Sequence, residues 1–97
     1  MIEIQKSEEF EYWFHQLNNK EQAQVSSRLE RIHSQEHFGD VKNLEEGLYE
    51  LRWKNGWRVY FVVKNKYIIK LLIGGHKNEQ KKDIKKARIL IKKRSVY

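Results

Sequence analysis

The sequence predicts an α+β fold, a single domain over residues 1–97, on three observations. Apolar residues recur at helical spacing between residues 10 and 32. From about residue 48 to 73 the pattern changes to short aromatic and β-branched runs separated by Asn- and Lys-rich bends, as in strands joined by hairpins. After residue 79 the helical period returns, so helices flank a sheet built from consecutive strands. No repeat, proline-rich linker or low-complexity tract divides the chain. Its 97 residues suffice for one core that buries roughly two-thirds of the surface the unfolded chain exposes.

A short strand is expected at 1–5. Ser7 is the expected N-cap of the first helix, because its hydroxyl can accept from an otherwise unpaired N–H, and Glu8 and Glu9 follow where the helix dipole favours carboxylates. Phe10, Trp13, Phe14 and Leu17 fall at i, i+3, i+4 and i+7 and form one apolar stripe. The stretch LNNKEQ interrupts that pattern before Val25, Leu29 and Ile32 resume it on a second helix, and so short a connection predicts an antiparallel helical hairpin. Residues 34–47 are polar and aperiodic, with glycines at 39 and 47, which reads as a loop. Strands near 48–54, 57–63 and 67–73 follow, then a turn at the Gly74-Gly75 pair and a last helix from about 79 to 93. Ile84, Ala87 and Ile91 make the inward stripe of that helix, with Ile89 and Leu90 outside it.

The hairpin around Asn55-Gly56 has two possible registers, and burial chooses between them. A two-residue loop would put Arg52 on the face of Trp57, Val59 and Phe61 and mix charge into the core. A three-residue loop, Lys54-Asn55-Gly56 with Gly56 left-handed, sets Trp53 opposite Trp57, Leu51 opposite Val59 and Tyr49 opposite Phe61, so one face is wholly apolar. The same register puts Arg52 directly opposite Arg58 on the other face, beside Glu50 and Tyr60. A second loop at 64–66 pairs Phe61 with Ile69 and Val59 with Leu71, which brings Lys70 next to Tyr60. Like charges opposed on a sheet repel by a few tenths of a kcal/mol or more. Either a phosphate between the two guanidinium groups offsets the repulsion, or Glu50 pairs with one arginine while solvent screens the other.

The formal charge of +7 points to an acidic partner such as nucleic acid, an acidic protein or an anionic surface, and residues 81–94 carry eight Lys or Arg against the single Asp83. Lys81, Lys85 and Lys92 flank the inward stripe of the last helix. His76, Lys77 and Gln80 stand at its entrance, where unpaired backbone N–H groups attract anions. His15, His33 and His37 read as surface or packing residues, and no metal constellation, P-loop or dinucleotide fingerprint is present. No metal, cofactor or small-molecule ligand is therefore expected. Cysteine is absent, which removes disulfides and thiolate ligands and is compatible with a reducing cytoplasm. The first residues are acidic where a signal peptide carries positive charge, and no apolar run approaches the ~18 residues of a membrane helix. A cytoplasmic protein with no membrane partner is expected.

The string GLYELRWKNGWRVYFVVKNKYIIKLLIGGHKNEQKKDIKKA, with FGDVKNL upstream and F..WF..L in the first helix, resembles the RelE/ParE toxin superfamily of bacterial toxin–antitoxin modules. Within it the string is similar to the phage-derived, HigB-like addiction-module killers. The resemblance implies two N-terminal helices packed on a curved antiparallel sheet, with a further helix after the last strand. It implies a type II toxin that cleaves mRNA in the ribosome without a metal, inhibits translation and is silenced by a cognate antitoxin. By motif position the catalytic residues are Arg52 of YELR, Arg58 of WRVYF and Lys77 of GGHK, with His76 as a base provided its ring faces the same cleft and Glu50 as the competing base. Tyr60, Lys70, Gln80, Lys81 and Lys85 are the expected RNA contacts. Such enzymes use the 2′-OH to attack the adjacent phosphorus, leaving a 2′,3′-cyclic phosphate and a free 5′-OH. Four departures stand out: His76 stands where the branch usually has Asp, the bend is only KNG where the branch has a longer one containing proline, Glu50 and Arg52 stand where ribosome-dependent relatives carry two lysines, and Asp83 stands where some relatives carry a tyrosine. A gyrase inhibitor of the ParE kind and an RNA-binding module without turnover share the same fold and are the rival readings.

Overall fold

The structure is a computed structural model that describes residues 1–94, so residues 95–97 of the expected domain lie outside the described residues. The chain runs β1 (Glu3–Lys6), α1 (Glu8–Gln16), α2 (Asn19–Gln35), β2 (Val41–Asn43), β3 (Leu48–Arg52), β4 (Trp57–Asn65) and β5 (Ile68–His76). A 3-10 turn (Lys77–Glu79) then leads into α3 (Gln80–Arg94). The sheet has the order β1-β5-β4-β3-β2 and is antiparallel except for β1, which runs parallel to β5.

Local chemistry sets the helix boundaries. Ser7 Oγ accepts from the Phe10 N–H at 3.0 Å and donates to the Leu72 carbonyl at 2.6 Å, so one hydroxyl both caps α1 and ties it to β5. Asn18 and Glu21 form a reciprocal capping box, each bond 2.9 Å, that starts α2. Strand β2 lies inside the segment expected to be a loop. Its three residues, Val-Lys-Asn, are all exposed and show no alternation, so only pairing with β3 reveals them.

Both faces of the sheet carry an apolar cluster. Phe10, Val25 and Ile32 of α1 and α2 bury Leu51, Val59, Phe61 and Leu71 on one face. On the other, Ala87 and Leu90 of α3 cover Leu48, Tyr60, Val62 and Leu72. The second face was expected to be charged, with Leu90 pointing away. Instead α3 packs onto β5 and β4 and rotates Leu90 inward, where burying such a side chain contributes roughly 1.5–3 kcal/mol. Ile89 stays exposed.

The hairpin between β3 and β4 has the expected register, with Leu51 opposite Val59, Arg52 opposite Arg58 and Gly56 at φ 105°. The loop is closed by the Trp53 N–H donating to the Trp57 carbonyl and the Gly56 N–H to the Trp53 carbonyl, both at 3.0 Å. The next hairpin differs from expectation. Phe61 pairs with Leu71, not Ile69, and Val59 pairs with Gly74, not Leu71. The Asn65 side chain accepts from the Tyr67 N–H at 2.8 Å and makes Lys66-Tyr67 the turn, while irregularities at Lys64 and Leu72 each insert one residue. The insertions keep Ile69 and Leu71 on the α1/α2 face and let Leu72 and Ile73 share the α3 face.

Gly74 and Gly75, expected to end the strand, lie within β5 opposite Val59 and Arg58. Contact from both sides explains them. A Cβ at Gly74 would collide with the Trp13 ring of α1, and one at Gly75 with the Asp83 carboxylate of α3.

Candidate functional site

The Glu50–Tyr60 and Arg52–Arg58 rows of the sheet, together with the first turn of α3, form a polar cluster at the end of the α3-covered face. Glu50 is 0% exposed. Its Oε2 accepts from Gln80 Nε2 at 2.6 Å and lies 4.0 Å from Arg58 Nε, while its Oε1 lies 3.9 Å from Arg52 Nε. Both arginines therefore lean on one carboxylate at distances too long for hydrogen bonds.

They are not equivalent. Arg58 is buried, and its Nη1 donates to the carbonyls of Trp53 (3.1 Å) and Trp57 (2.9 Å) at the hairpin neck. Arg52 keeps a side chain that is 37% exposed, and its Nε lies 3.9 Å from Asp40 Oδ2 as well as from Glu50. Among the described residues the buried Nε atoms of Arg52 and Arg58 have no hydrogen-bond partner, and the Tyr60 hydroxyl interacts with the Glu50 carboxylate. Buried groups of this kind are normally satisfied, and here they gather in two adjacent rows of the sheet.

Tyr60 was expected to touch RNA but is 0% exposed beneath α3. Burial first, and then the Glu50 carboxylate, raises its phenol well above the ordinary value. Burial also pushes the Asp83 carboxyl upward, an effect that outweighs Lys86 and Lys82, which pull it down. Asp83 rests on Gly75, the cross-strand partner of Arg58, in the first turn of α3.

The remaining expected residues divide. The Lys77 N–H donates to the Gly56 carbonyl at 2.7 Å, which holds this exposed lysine beside the hairpin at the Arg52–Arg58 end. Gln80 joins the site through Glu50. Arg88 donates to the Leu44 and Glu45 carbonyls and pairs with Glu46 at 3.3 Å, so that side of α3 faces the β2–β3 turn. Lys81 and Lys85, seven and three residues earlier, are exposed on the same side of the helix.

Two residues fall elsewhere. Lys70 pairs with Val62 instead of neighbouring Tyr60, because the Leu72 and Lys64 insertions shift the register. It stands four residues along the sheet from the arginine row, about 13 Å at ~3.3 Å per residue. His76 pairs with Trp57 and meets its ring edge-on at 5.4 Å, on the face of α1 and away from the arginines. Its Nδ1 accepts from the Asn78 N–H at 3.3 Å and caps the 3-10 turn. Continued strand alternation through Gly74 and Gly75 decides its side, which the apparent glycine turn concealed.

Sequence reasoning named Glu50 but missed Asp40 and Arg28. Arg28 is buried, stacks over Trp53 at 4.7 Å and donates to the carbonyls of Phe38, Asp40 and Arg52, fixing the 38–40 loop against the end of β3. Burial lowers its pKa from the usual guanidinium value. An arginine on a helix otherwise rich in polar residues gives no sign of this role.

Residues 12–95 match the family described as phage-derived protein Gp49-like (DUF891). An uncharacterized protein of Haemophilus influenzae is 37% identical over 92 residues, covering 92% of each chain. Among solved structures, the fold is similar to the isolated Escherichia coli RelE toxin (TM-score 0.65, 12% identity, 89% of this chain and 98% of that one). It is also similar to a chain of the RelB–RelE antitoxin–toxin complex of Methanococcus jannaschii (TM-score 0.66, 13% identity, 80% and 95%). A chain of the RelBE2 toxin–antitoxin complex of Mycobacterium tuberculosis gives a TM-score of 0.65 at 16% identity, covering 77% and 96%.

Proposed function

The chain belongs to the phage-derived Gp49-like family and has a RelE-like fold, and from that premise we propose that it is the toxin of a type II toxin–antitoxin module, an endoribonuclease that cleaves mRNA in the ribosome. One observation carries the reading: two guanidinium groups with unbonded Nε atoms converge on a single buried carboxylate, near the exposed Lys77.

A scissile phosphate would take the place between the arginines that Glu50 now fills alone. Arg52, exposed and held only by contacts of 3.9 Å, swings onto the phosphate; Arg58, fixed by two carbonyls, offers its Nε without moving. Withdrawal of Arg52 opens the way to the Glu50 carboxylate, which takes the proton of the 2′-OH. The 2′ oxygen bonds to phosphorus, the bond from phosphorus to the 5′ oxygen breaks, and Lys77 supplies the proton that leaves with the 5′-OH. Arg52 and Arg58 hold the charge that develops on the phosphorane oxygens. Gln80 keeps the Glu50 carboxylate turned toward the site. His76, on the other face, takes no part. In the cell an acidic antitoxin covers the basic surface, consistent with the charge of +7.

Primer extension on a reporter mRNA, with and without ribosomes, tests the proposal. Wild type gives discrete cuts bearing 2′,3′-cyclic phosphates. Arg52→Ala lowers the rate on the order of 10²–10³, the typical cost of one donor to the developing charge. Intact RNA under both conditions, together with blocked gyrase supercoiling, would replace this reading with the gyrase one.

A further inference from the structure

A cleft of about 610 Å³ opens on the far side of Arg52, between α2, the 37–40 loop and the 54–56 hairpin loop. We infer that it is a second RNA subsite, which holds the phosphate and sugar of a nucleotide next to the scissile one; this rests on the endoribonuclease reading above.

Charge supports the assignment first. Arg31, His37, Arg52 and Lys54 line the cleft, with Arg28 at its back and Asp40 the acidic group facing it. Arg28 is committed to three carbonyls and to the Trp53 face, so it serves as a strut. Among the described residues the side chains of Arg31 and Lys54 have neither an ion pair nor a hydrogen bond, and both are exposed. Arg31 also lies near enough to Arg28 to depress its pKa. Two like charges three residues apart on α2, with Arg52 and Lys54 lining the cleft from the hairpin side, make a site whose repulsion an anion relieves.

Continuity supports it second. Arg52 is shared, with its Nε at 3.9 Å from Glu50 in the catalytic row and its side chain lining this cleft. A strand whose scissile phosphate sits between Arg52 and Arg58 therefore enters the cleft within one nucleotide. The volume lies within the roughly 300–1,000 Å³ of small-ligand sites. The polar rim of Gln24, Ser27 and Asn55 offers donors and acceptors suited to a 2′-hydroxyl. The Asn55 amide already donates to Gln24 at 3.0 Å, which holds the hairpin loop against α2 and keeps the cleft formed.

The test measures binding of a short labelled oligoribonucleotide, 2′-O-methylated only at the scissile nucleotide so that it cannot be cleaved, across a salt series, to wild type and to Arg31→Gln/Lys54→Gln. Both positions are exposed, and circular dichroism checks that the variant is folded. Loss of two phosphate contacts weakens binding about tenfold at physiological salt and reduces the slope of log Kd against log salt by about 1.4, at ~0.7 per contact on a single strand. An unchanged slope, in a wild type that cleaves mRNA, overturns the subsite and leaves the endoribonuclease standing. Weakened RNA binding in a protein that cleaves nothing keeps the cleft as an RNA site and removes the nuclease. If the variant loses binding to a poly-glutamate peptide while its RNA affinity is unchanged, the cleft is a protein-docking site and the inference fails.

Discussion

Replacing Glu50 by Gln keeps the shape of the side chain and removes the one charge on which both arginines lean. Each guanidinium Nε lies about 4 Å from the carboxylate, and at an effective dielectric near 20 such a pair is worth about 4 kcal/mol before desolvation. Arg52 is 37% exposed, so solvent reduces its share to about 1 kcal/mol. Arg58 is buried and keeps most of its share. Part of the sum returns because the amide no longer carries a buried charge, which leaves a loss of about 3 kcal/mol, the scale of breaking a buried pair from one side. For a domain of this size that lowers Tm on the order of 10–20 °C. Inorganic phosphate should then restore the variant more than the wild type, because it supplies the missing anion to the same arginines; at a concentration of ~100 Kd the gain is about 2.7 kcal/mol. Thermal unfolding of both proteins over a phosphate series reads both effects. The electrostatic account fails if Glu50→Gln melts with wild type, or if phosphate raises both by the same amount. If Glu50 is also the proton acceptor, the variant's cleavage falls about 10²–10⁴-fold even with phosphate affinity increased.

Gly74→Ala forces Trp13 or β5 to move and should cost about 1–3 kcal/mol in urea unfolding; an unaffected midpoint would show that α1 does not press on that position. Asp83→Asn should gain stability relative to wild type as pH rises from ~3 to ~7, because a carboxyl raised by burial penalises the fold only once ionised, above the ordinary value of ~4. A difference between the two that is constant with pH would contradict the burial argument. Arg58→Lys keeps the charge but not the fork that reaches two carbonyls, so it should lose both stability and cleavage, whereas Arg52→Lys should lose cleavage with little change in unfolding. Equal melting losses for the two lysine variants would show that their different burial has no energetic consequence.

The sequence by itself determined what is local. Turn chemistry at Asn55-Gly56 and alternation on either side were enough to set Arg52 across from Arg58, and Ser7 and the apolar spacing after it were enough to start α1. The family was legible for the same reason, since its motifs sit on those strands and on the turn into the last helix. Tertiary structure decided the rest, through contacts between segments far apart in the chain. Strand β2 exists only because β3 offers it a partner, and Gly74 and Gly75 stay in a strand because two helices press on them from opposite sides. One inserted residue at Leu72 reverses the alternation along β5, which no window of sequence announces, and so Lys70 moved away from Tyr60. The docking of α3 closed Tyr60 and Glu50 off from solvent. A residue's face follows from its neighbours in sequence, but whether that face meets water depends on what packs over it.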